Sequence, residues 1–262
     1  MDLKTLEFRL NNFLSPDSFH DFCPNGLIVQ APFSKDFPVS RIVTGVSLRD
    51  ALIDRAVAEK ADVIIVHHPN GWWCSEKDKK ILDSNFANYT RRLMRQGVSL
   101  FGYHLPLDAN VLVGNNATVY NKLGLSGNKV DEDWPSKKLP ECFGHDGIVY
   151  GGTGVITDEL LDKVFPKGCQ KINFMSGKRY RVAVCTGSGS SEMEEAARLG
   201  YDMFVTGEIR ESTPIFAEEH RMAVVAAGHH RSEVFCVQNL ADWINKNCPD
   251  VKAKFIDIDN PV

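Results

Sequence analysis

The hydrophobic and polar positions along the chain alternate between two periods, which is typical of an α/β protein. Near the start, apolar residues at near-helical spacing predict an amphipathic helix: Leu3, Leu6, Leu10, Phe13 and Leu14. The segment FCPNGLIVQ then predicts a turn at Pro24, Asn25 and Gly26, followed by a short strand. Beyond forming this turn, Asn25 and Gly26 need have no role.

From position 41 onwards, strand and helix patterns follow one another regularly. The order is a strand at RIVTGV, a helix at LRDALIDRAVAEK, a strand at DVIIV, a break at HHPNGWW, a helix over roughly 78–96 and a strand at VSLFGY. The segment DVIIV is apolar at successive positions, as expected of a strand buried on both faces of a parallel sheet. This stretch therefore predicts a βαβαβ unit.

The same order of elements recurs about 140 residues later, at RVAVC, SEMEEAARLG, DMFV, TGE, ESTPIFAEEH and MAVVAAG. At this offset Asp62 falls on Asp202. With a small further shift, Gly102–His104 corresponds to Gly228–His230. We interpret the recurrence as an internal duplication, and chance similarity between two ordinary α/β segments is the alternative.

The repeat predicts two intertwined, related α/β domains. Residues 1–124 form the first half, which residues 228–262 complete, and residues 125–227 form the second half. Residues 125–180 are rich in Pro, Gly and charge, which indicates connecting structure and part of the second half. In parallel α/β sheets ligands bind beyond the carboxyl ends of the strands. We therefore expect the two halves to share one site between them.

Composition and charge disfavour several classes of protein. The 262 residues are 43% hydrophobic, which suffices for a substantial core. The net charge of −4 disfavours a nucleic-acid partner, because phosphate binding needs clustered Lys and Arg. No apolar run approaches the roughly 20 residues that span a bilayer, and the first residues lack a signal-peptide core, so we expect a cytoplasmic protein. The seven Cys residues form no CxxC pair, which disfavours disulfides and a thiolate zinc site.

Two adjacent histidine pairs follow apolar runs and are candidates for metal binding. Successive side chains of a strand point to opposite faces, so His67 and His68 could converge on neighbouring ions only where their strand ends. A strand end with two ordinary imidazoles is the alternative. Trp72 and Trp73 follow this pair and either shelter a pocket or form a subunit contact.

The segment GHHRSE contains the second pair. His229 and Glu233 are four residues apart and share one face if a helix starts after Gly228. They would then form a metal clamp, and Glu233 could bridge two ions. The alternative is a plain helix start with Glu233 near the favourable end of the helix dipole. His230 lies on a different face and could contact the ligands or a substrate.

The segment HLPLD places His104 and Asp108 four residues apart, but Pro106 argues against a helix and predicts a loop. Asp108 is a candidate carboxylate ligand, and His104 either orients it or binds metal itself. Alternatively, Asp108 caps a helix at NNAT. Glu208 falls near the shared site by its position in the repeat. The Gly-rich turn CTGSGSS either offers amides to an anion or is only a tight turn.

Five motifs in order carry a family resemblance over nearly the whole chain: HHPNGWW, GYHLPLDANVLVGNNA, CTGSGSSEMEEAARLGYDMFVTGE, AAGHHRSE and FIDIDNPV. The chain resembles the bacterial GTP cyclohydrolase 1 type 2 homologs, which belong to the NGG-interacting-factor-three-like family of dinuclear-metal proteins. The resemblance implies a toroidal homohexamer whose protomers each carry a two-metal site. It also implies the metal ligands His67, His68, Asp108, His229 and Glu233, with Glu233 bridging. Ser47 stands where the family often has an Asp.

The candidate ligands are all His, Asp or Glu, a set that suits Zn, Mn, Fe or Ni. Two ions bound by five ligands keep positions open to water and support hydrolysis. Our first hypothesis is therefore a hydrolase of a small molecule, of nucleotide or pterin-precursor type. The second is a non-catalytic metal-binding scaffold, store or regulator that assembles as a ring. A hydrolase needs a replaceable water and a nearby pocket, whereas a store needs only reversible affinity.

Overall fold

The computed structural model describes residues 1–31, 34, 36–69, 84–127, 129–130, 138–139 and 141–261. In the first part of the chain the elements are α1 (Leu3–Leu14), β1 (Gly26–Val29), β2 (Arg41–Ser47), α2 (Asp50–Ala58), β3 (Val63–His68), α3 (Ser84–Gln96), β4 (Ser99–Gly102), α4 (Leu105–Ala109) and α5 (Asn115–Lys122). In the remainder they are β5 (Lys129–Val130), β6 (Lys138–Leu139), β7 (Glu141–Phe143), β8 (Val149–Ile156), α6 (Asp158–Val164), β9 (Gln170–Ile172), β10 (Lys178–Cys185), α7 (Met193–Arg198), β11 (Met203–Thr206), α8 (Ser212–Glu219), β12 (Ala223–Ala226), α9 (His229–Asn247) and β13 (Lys252–Phe255). Trp72, Trp73 and the predicted helical residues 78–83 lie outside the described residues.

The chain divides into two compact units. The first comprises Met1–Val113 and Val234–Asp259, and the second comprises Gly114–Glu233 and Asn260–Val262. The first unit contains a five-stranded sheet of order β1-β4-β3-β2-β13, and the second a six-stranded sheet of order β7-β8-β10-β11-β12-β9. Strands β2, β3 and β4 are parallel, and so are β10, β11 and β12. The predicted α/β fold is confirmed.

The first sheet buries apolar side chains on both of its faces. On one face Val63 and Ile65 of β3 belong to a core formed with α1 and α9, which contribute Leu3, Leu6, Leu10, Leu14, Val237, Leu240 and Ile244. On the other face Ile64 and Val66 belong to a core formed with α2 and α3, which contribute Leu52, Ile53, Ala56 and Leu93. Burial on both faces explains why this strand is apolar at successive positions.

The second sheet packs against helices in the same way. Phe204 of β11 and Val224 of β12 share a core with Ala196 of α7 and Ala217 of α8. The helices of the described residues include none that is long and apolar enough to cross a membrane.

The two units repeat individual contacts at the offset of 140 residues. In the first unit the Arg41 amide donates to Asp62 Oδ2 (2.9 Å), and the Asp62 amide donates to the Arg41 carbonyl (2.9 Å). In the second, the Arg181 amide donates to Asp202 Oδ1 (2.7 Å), and the Asp202 amide donates to the Arg181 carbonyl (3.0 Å). Each aspartate thus fixes the start of one strand beside the start of the next, which supports the duplication.

The strand registers correct one detail of the predicted repeat. Val63 lies opposite Ser99 in the first sheet, and Met203 lies opposite Ala223 in the second. The third strand of each unit is therefore offset by 124 residues, so Gly102–His104 corresponds to 226–228 and not to Gly228–His230 as expected. The shared Gly and His letters suggested an alignment that the strand pairing does not support.

The prediction of a loop at HLPLD was wrong, because α4 spans Leu105–Ala109. Pro106 is the second residue of this helix, where its missing N–H costs nothing, since the first helical N–H groups have no partner within the helix. The Asp108 amide donates to the His104 carbonyl (3.2 Å), which closes the turn. The residue before α5 is Gly114, so the alternative that Asp108 caps the NNAT helix was also wrong.

Candidate metal centre

Three imidazoles of the first unit lie together at the carboxyl end of β3. His67 and His68 are the last residues of this strand, and His104 precedes α4. The ring centroid of His67 lies 4.5 Å from that of His68 and 5.1 Å from that of His104, and the His68 and His104 centroids are 5.6 Å apart. One ring nitrogen from each of the three lies within 4.8 Å of those of the other two. Such spacing is compatible with a common cation.

Oxygen atoms orient the rings of the two adjacent histidines. His67 Nδ1 lies 3.0 Å from the Tyr103 carbonyl oxygen, and His68 Nδ1 lies 3.0 Å from Ser47 Oγ. A carbonyl oxygen only accepts, so His67 Nδ1 carries the hydrogen and the lone pair of the neutral ring is on Nε2. His67 Nε2 lies 3.6 Å from Asp108 Oδ2. The ligand-type atoms of His67 and Asp108 therefore face each other.

A buried carboxylate orients His104. Asp21 Oδ1 lies 2.9 Å from His104 Nδ1 and accepts from the Cys23 amide (2.9 Å). Asp21 Oδ2 accepts from the Leu105 amide (2.8 Å) and from Asn25 Nδ2 (3.0 Å). Burial raises the pKa of Asp21, but the hydrogen bonds and charge of His104 and the bonds from Asn25 and Cys23 outweigh it and lower this pKa to about 2.

The second unit contributes an imidazole between two carboxylates. His229 is the first residue of α9, and its Nδ1 lies 2.6 Å from Glu208 Oε1. One turn later in the helix, Glu233 Oε2 lies 3.0 Å from His229 Nε2. Burial lowers the pKa of His229, but the charges of Glu233 and Glu208 together raise it to about 9. His230 is buried in the same turn.

A close backbone approach leaves room for the Glu233 carboxylate. Gly187 has a φ of +62°, and a Cβ at this position would lie 2.1 Å from Glu233 Oε1. The Gly187 amide donates to Ser232 Oγ (3.0 Å), and the Thr186 amide donates to Asn116 Oδ1 (2.8 Å). These two amides have partners within the unit and are therefore not open to an anion.

The donor types fit a divalent ion of borderline hardness. The first unit offers His67, His68 and His104 with the Asp108 carboxylate, and the second offers His229 with the carboxylates of Glu208 and Glu233. Imidazole and carboxylate together suit Zn, Fe, Mn and Ni. Cys23 lies near Asp21 and His104, but both Asp21 oxygens already accept backbone amides. No local pattern in the sequence predicts the contacts of Asp21 with His104 and of the Ser47 hydroxyl with His68.

Comparisons with known proteins identify the family of the chain. The family model of Duf34/NIF3 (NGG1p interacting factor 3) matches residues 1–261. Two relatives called GTP cyclohydrolase 1 type 2 homolog, from Vibrio cholerae serotype O1 and Escherichia coli strain K12, are 35% and 34% identical, with 98% of each chain covered. A solved structure of protein ybgI, of unknown function, has a TM-score of 0.83 at 33% identity and covers 100% of both chains. The chain therefore belongs to the Duf34/NIF3 family.

Proposed function

We propose that the chain binds a pair of divalent metal ions and uses them to hydrolyse a small molecule of nucleotide or pterin-precursor type. The proposed ligands are His67, His68 and Asp108 of the first unit and His229 and Glu233 of the second, with Glu233 bridging the ions. The relatives' name, GTP cyclohydrolase 1 type 2 homolog, supports this class of substrate.

The orientation of the histidines is the observation that carries the proposal. His67, His68 and His229 each place Nδ1 against an oxygen atom, from a carbonyl, a hydroxyl and a carboxylate respectively. Histidines that bind metal usually donate their other ring N–H to such an oxygen, which fixes the tautomer and the ring orientation. This arrangement directs Nε2 of all three rings away from these oxygens, and a cation bound at His229 would replace the proton that this imidazole holds between Glu208 and Glu233.

Chain connectivity and topology support a single centre with ligands from both units. Glu233 is the last residue of its segment in the second unit, and Val234, the next residue of α9, packs on the core of the first. Asp108 and Ser232 are 124 residues apart and occupy equivalent positions in the two units. The Asp108 amide donates to the His104 carbonyl, and the Ser232 amide donates to the Gly228 carbonyl, one helical turn back in each case. Ser232 directly precedes Glu233. Both ligand sets thus follow carboxyl ends of parallel strands, where α/β proteins bind ligands.

Two bound divalent ions would supply Lewis-acid polarisation of a substrate oxygen and would lower the pKa of water. The protein's own contribution is orientation. Glu208 keeps His229 Nε2 aimed towards Glu233, and the Tyr103 carbonyl fixes the tautomer of His67. The carboxylates of Glu233 and Asp108 are buried, which strengthens their attraction for a cation.

Metal analysis followed by turnover assays tests the proposal. The purified full chain is analysed for bound metal and assayed on nucleotides, pterin precursors and phosphoesters, together with His67→Ala, Glu233→Ala and the exposed control His145→Ala. We expect about two ions per chain and turnover in the wild type and in the control, and fewer bound ions and no turnover in the two ligand variants. Turnover that survives in both ligand variants would contradict the hydrolase. Metal binding without turnover on any substrate would favour a store or scaffold.

The quaternary structure implied by the resemblance is part of the proposal. We propose a cytoplasmic homohexamer that forms a ring, and native mass spectrometry of the full chain measures its stoichiometry. Six chains per particle are expected. A monomer at micromolar concentration would contradict the ring without affecting the ligand assignment.

A further inference from the structure

We propose that His104 is a further metal ligand and that Asp21 is the positioning residue that orients it, so that the first unit presents three imidazoles to one ion. This inference rests on the metal centre proposed above. It adds a sixth protein ligand to the five that the family resemblance implies.

The His104 ring lies close to the rings of His67 and His68. Its centroid lies 5.1 Å from that of His67 and 5.6 Å from that of His68. One nitrogen from each ring lies within 4.8 Å of those of the other two. The distance between two ligand nitrogens on one zinc ion is bounded by twice the Zn–N distance of about 2.0–2.1 Å. A small adjustment on binding therefore brings all three nitrogens into reach of one cation.

Asp21 fixes the tautomer of His104. Asp21 Oδ1 accepts from the Cys23 amide and Oδ2 accepts from the Leu105 amide, so the carboxylate is fixed by the backbone on both oxygens. A carboxylate is an acceptor, and His104 Nδ1 at 2.9 Å therefore carries the hydrogen. The lone pair of the neutral imidazole is then on Nε2. This is the carboxylate–histidine pairing that accompanies histidine ligands of metals.

The contacts of His104 favour metal binding over the alternative that its side chain orients Asp108. The His104 ring is hydrogen-bonded to Asp21, whereas the backbone carbonyl of His104 accepts a hydrogen bond from the Asp108 amide. Removal of the His104 imidazole therefore leaves the turn that carries Asp108 intact. Asn25 supports the same arrangement, since its Oδ1 accepts from the His104 amide (2.8 Å) and its Nδ2 donates to Asp21.

The experiment measures Co²⁺ binding to the full chain by elemental analysis, by calorimetric titration and by the visible absorption of bound Co²⁺. We compare the wild type with His104→Ala, Asp21→Ala, Asp21→Asn and the exposed control His145→Ala. The wild type and the control are expected to bind about two ions per chain. In His104→Ala one of the two ions binds at least about tenfold more weakly and the absorption spectrum changes, because a ligand is missing.

The Asp21 variants test the positioning role. Asp21→Ala is expected to weaken the binding of one ion by about 10- to 100-fold, the usual effect of losing the partner of a ligating histidine. Asp21→Asn retains an oxygen that can accept from His104 Nδ1 and is expected to lie between the wild type and Asp21→Ala. Free imidazole is expected to restore Co²⁺ binding and the spectrum to His104→Gly, which a purely structural role of the side chain does not predict.

A measurement on the wild type alone covers the case in which variants fail to fold. Each Co²⁺-bound imidazole that keeps its Nδ1–H gives one exchangeable, strongly shifted proton NMR signal. Four such signals are expected if His104 binds together with His67, His68 and His229, and three would overturn the inference. Wild-type affinity and spectrum in His104→Ala would also overturn it and leave the five-ligand centre standing. A wild type that binds no Co²⁺ would overturn both proposals.

Discussion

At Gly187 it is the backbone that makes room for a candidate metal ligand. A substitution with Ala would place its Cβ 2.1 Å from Glu233 Oε1, in a residue whose φ is +62°. The backbone conformation alone disfavours Ala by about 1–2 kcal/mol. The contact with Glu233 would in addition displace the carboxylate. A control glycine with a positive φ but no such contact separates the backbone effect from the displacement of the carboxylate.

Gly187→Ala is therefore expected to lose metal as well as stability. Gly177 is the matched control, because its φ is +79° and an added Cβ would meet nothing within 4 Å. We expect both variants to be less stable by about 1–2 kcal/mol in urea unfolding of the metal-free chain. Only Gly187→Ala should lower the bound metal measured by elemental analysis. Equal metal content in the two variants would show that Glu233 is not a ligand.

The hydroxyl of Ser47 lies 3.0 Å from His68 Nδ1. Ser47→Ala removes the oxygen that orients this imidazole, and the loss of such a partner weakens metal binding by about 10- to 100-fold. Calorimetric titration with Co²⁺ measures the change. Ser126→Ala, on an exposed serine of the second unit, serves as the control. Unchanged affinity in Ser47→Ala would mean that His68 is oriented by other contacts.

The sequence revealed candidate ligands but not the atoms that orient them. His67 and His68 attract attention because they are adjacent, and His229 and Glu233 because they are one helical turn apart. Their partners carry no such local signal. The Asp21–His104 contact joins residues 83 positions apart, His67 contacts the Tyr103 carbonyl 36 positions away, and His68 contacts Ser47 21 positions away. Such pairs become visible only when the strands are placed side by side.

Among the elements, helix α1 offers a direct test of the predicted amphipathic pattern. Its apolar stripe is buried in the first core, and Leu10 within it is 0% exposed, whereas Phe8 on the outer face is 65% exposed. Leu10→Ala is expected to destabilise the protein by about 2–5 kcal/mol through lost contacts and a cavity. Phe8→Ala should change stability by no more than about 0.5 kcal/mol. Urea unfolding followed by circular dichroism compares them, and equal losses would contradict this packing.

Strand β8 shows why one element was missed within residues 125–180. Its sequence, VYGGTGVI, contains three glycines, which are rare in strands and suggested connecting structure. A Cβ at Gly151 would lie 1.9 Å from the Tyr201 hydroxyl, and one at Gly152 would lie 2.6 Å from the Tyr120 ring. The glycines are therefore explained by aromatic side chains that pack directly on the strand. Local propensity gives no hint of these distant partners.

At the scale of the whole molecule, the duplication explains why the order of elements was predictable. In each unit the three parallel strands carry an antiparallel edge strand on the same side, β1 beside β4 and β9 beside β12. The opposite edges differ, because β13 is parallel to β2 whereas β8 is antiparallel to β10. The strands and helices of the repeat were predictable because the same order of hydrophobic patterns occurs twice along the chain. The edges that differ depend on segments before or after the repeat and had no second copy to support them.

Metal removal provides a prediction about both units together. An ion that binds only the folded state stabilises it by RT ln(1 + [L]/Kd), about 2.7 kcal/mol at a free concentration 100-fold above Kd. If one pair of ions binds His67 of the first unit and Glu233 of the second, this stabilisation is lost when either unit unfolds. Calorimetry of the chelated chain should therefore show lower melting temperatures for both units. Saturating Co²⁺ should raise the melting temperatures of both and merge separate transitions into one.

The variant Glu233→Ala tests whether the shared stabilisation of the two units by Co²⁺ depends on a proposed ligand. In Glu233→Ala, Co²⁺ bound to the first-unit histidines can stabilise that unit, but the second unit has lost the carboxylate that is proposed to bridge the ions. We therefore expect Co²⁺ to raise the melting temperature of only the first unit in this variant, with the exposed His145→Ala responding as the wild type does. A wild type in which Co²⁺ shifts the transition of one unit alone would contradict shared ions, because binding that depends on both units must stabilise both.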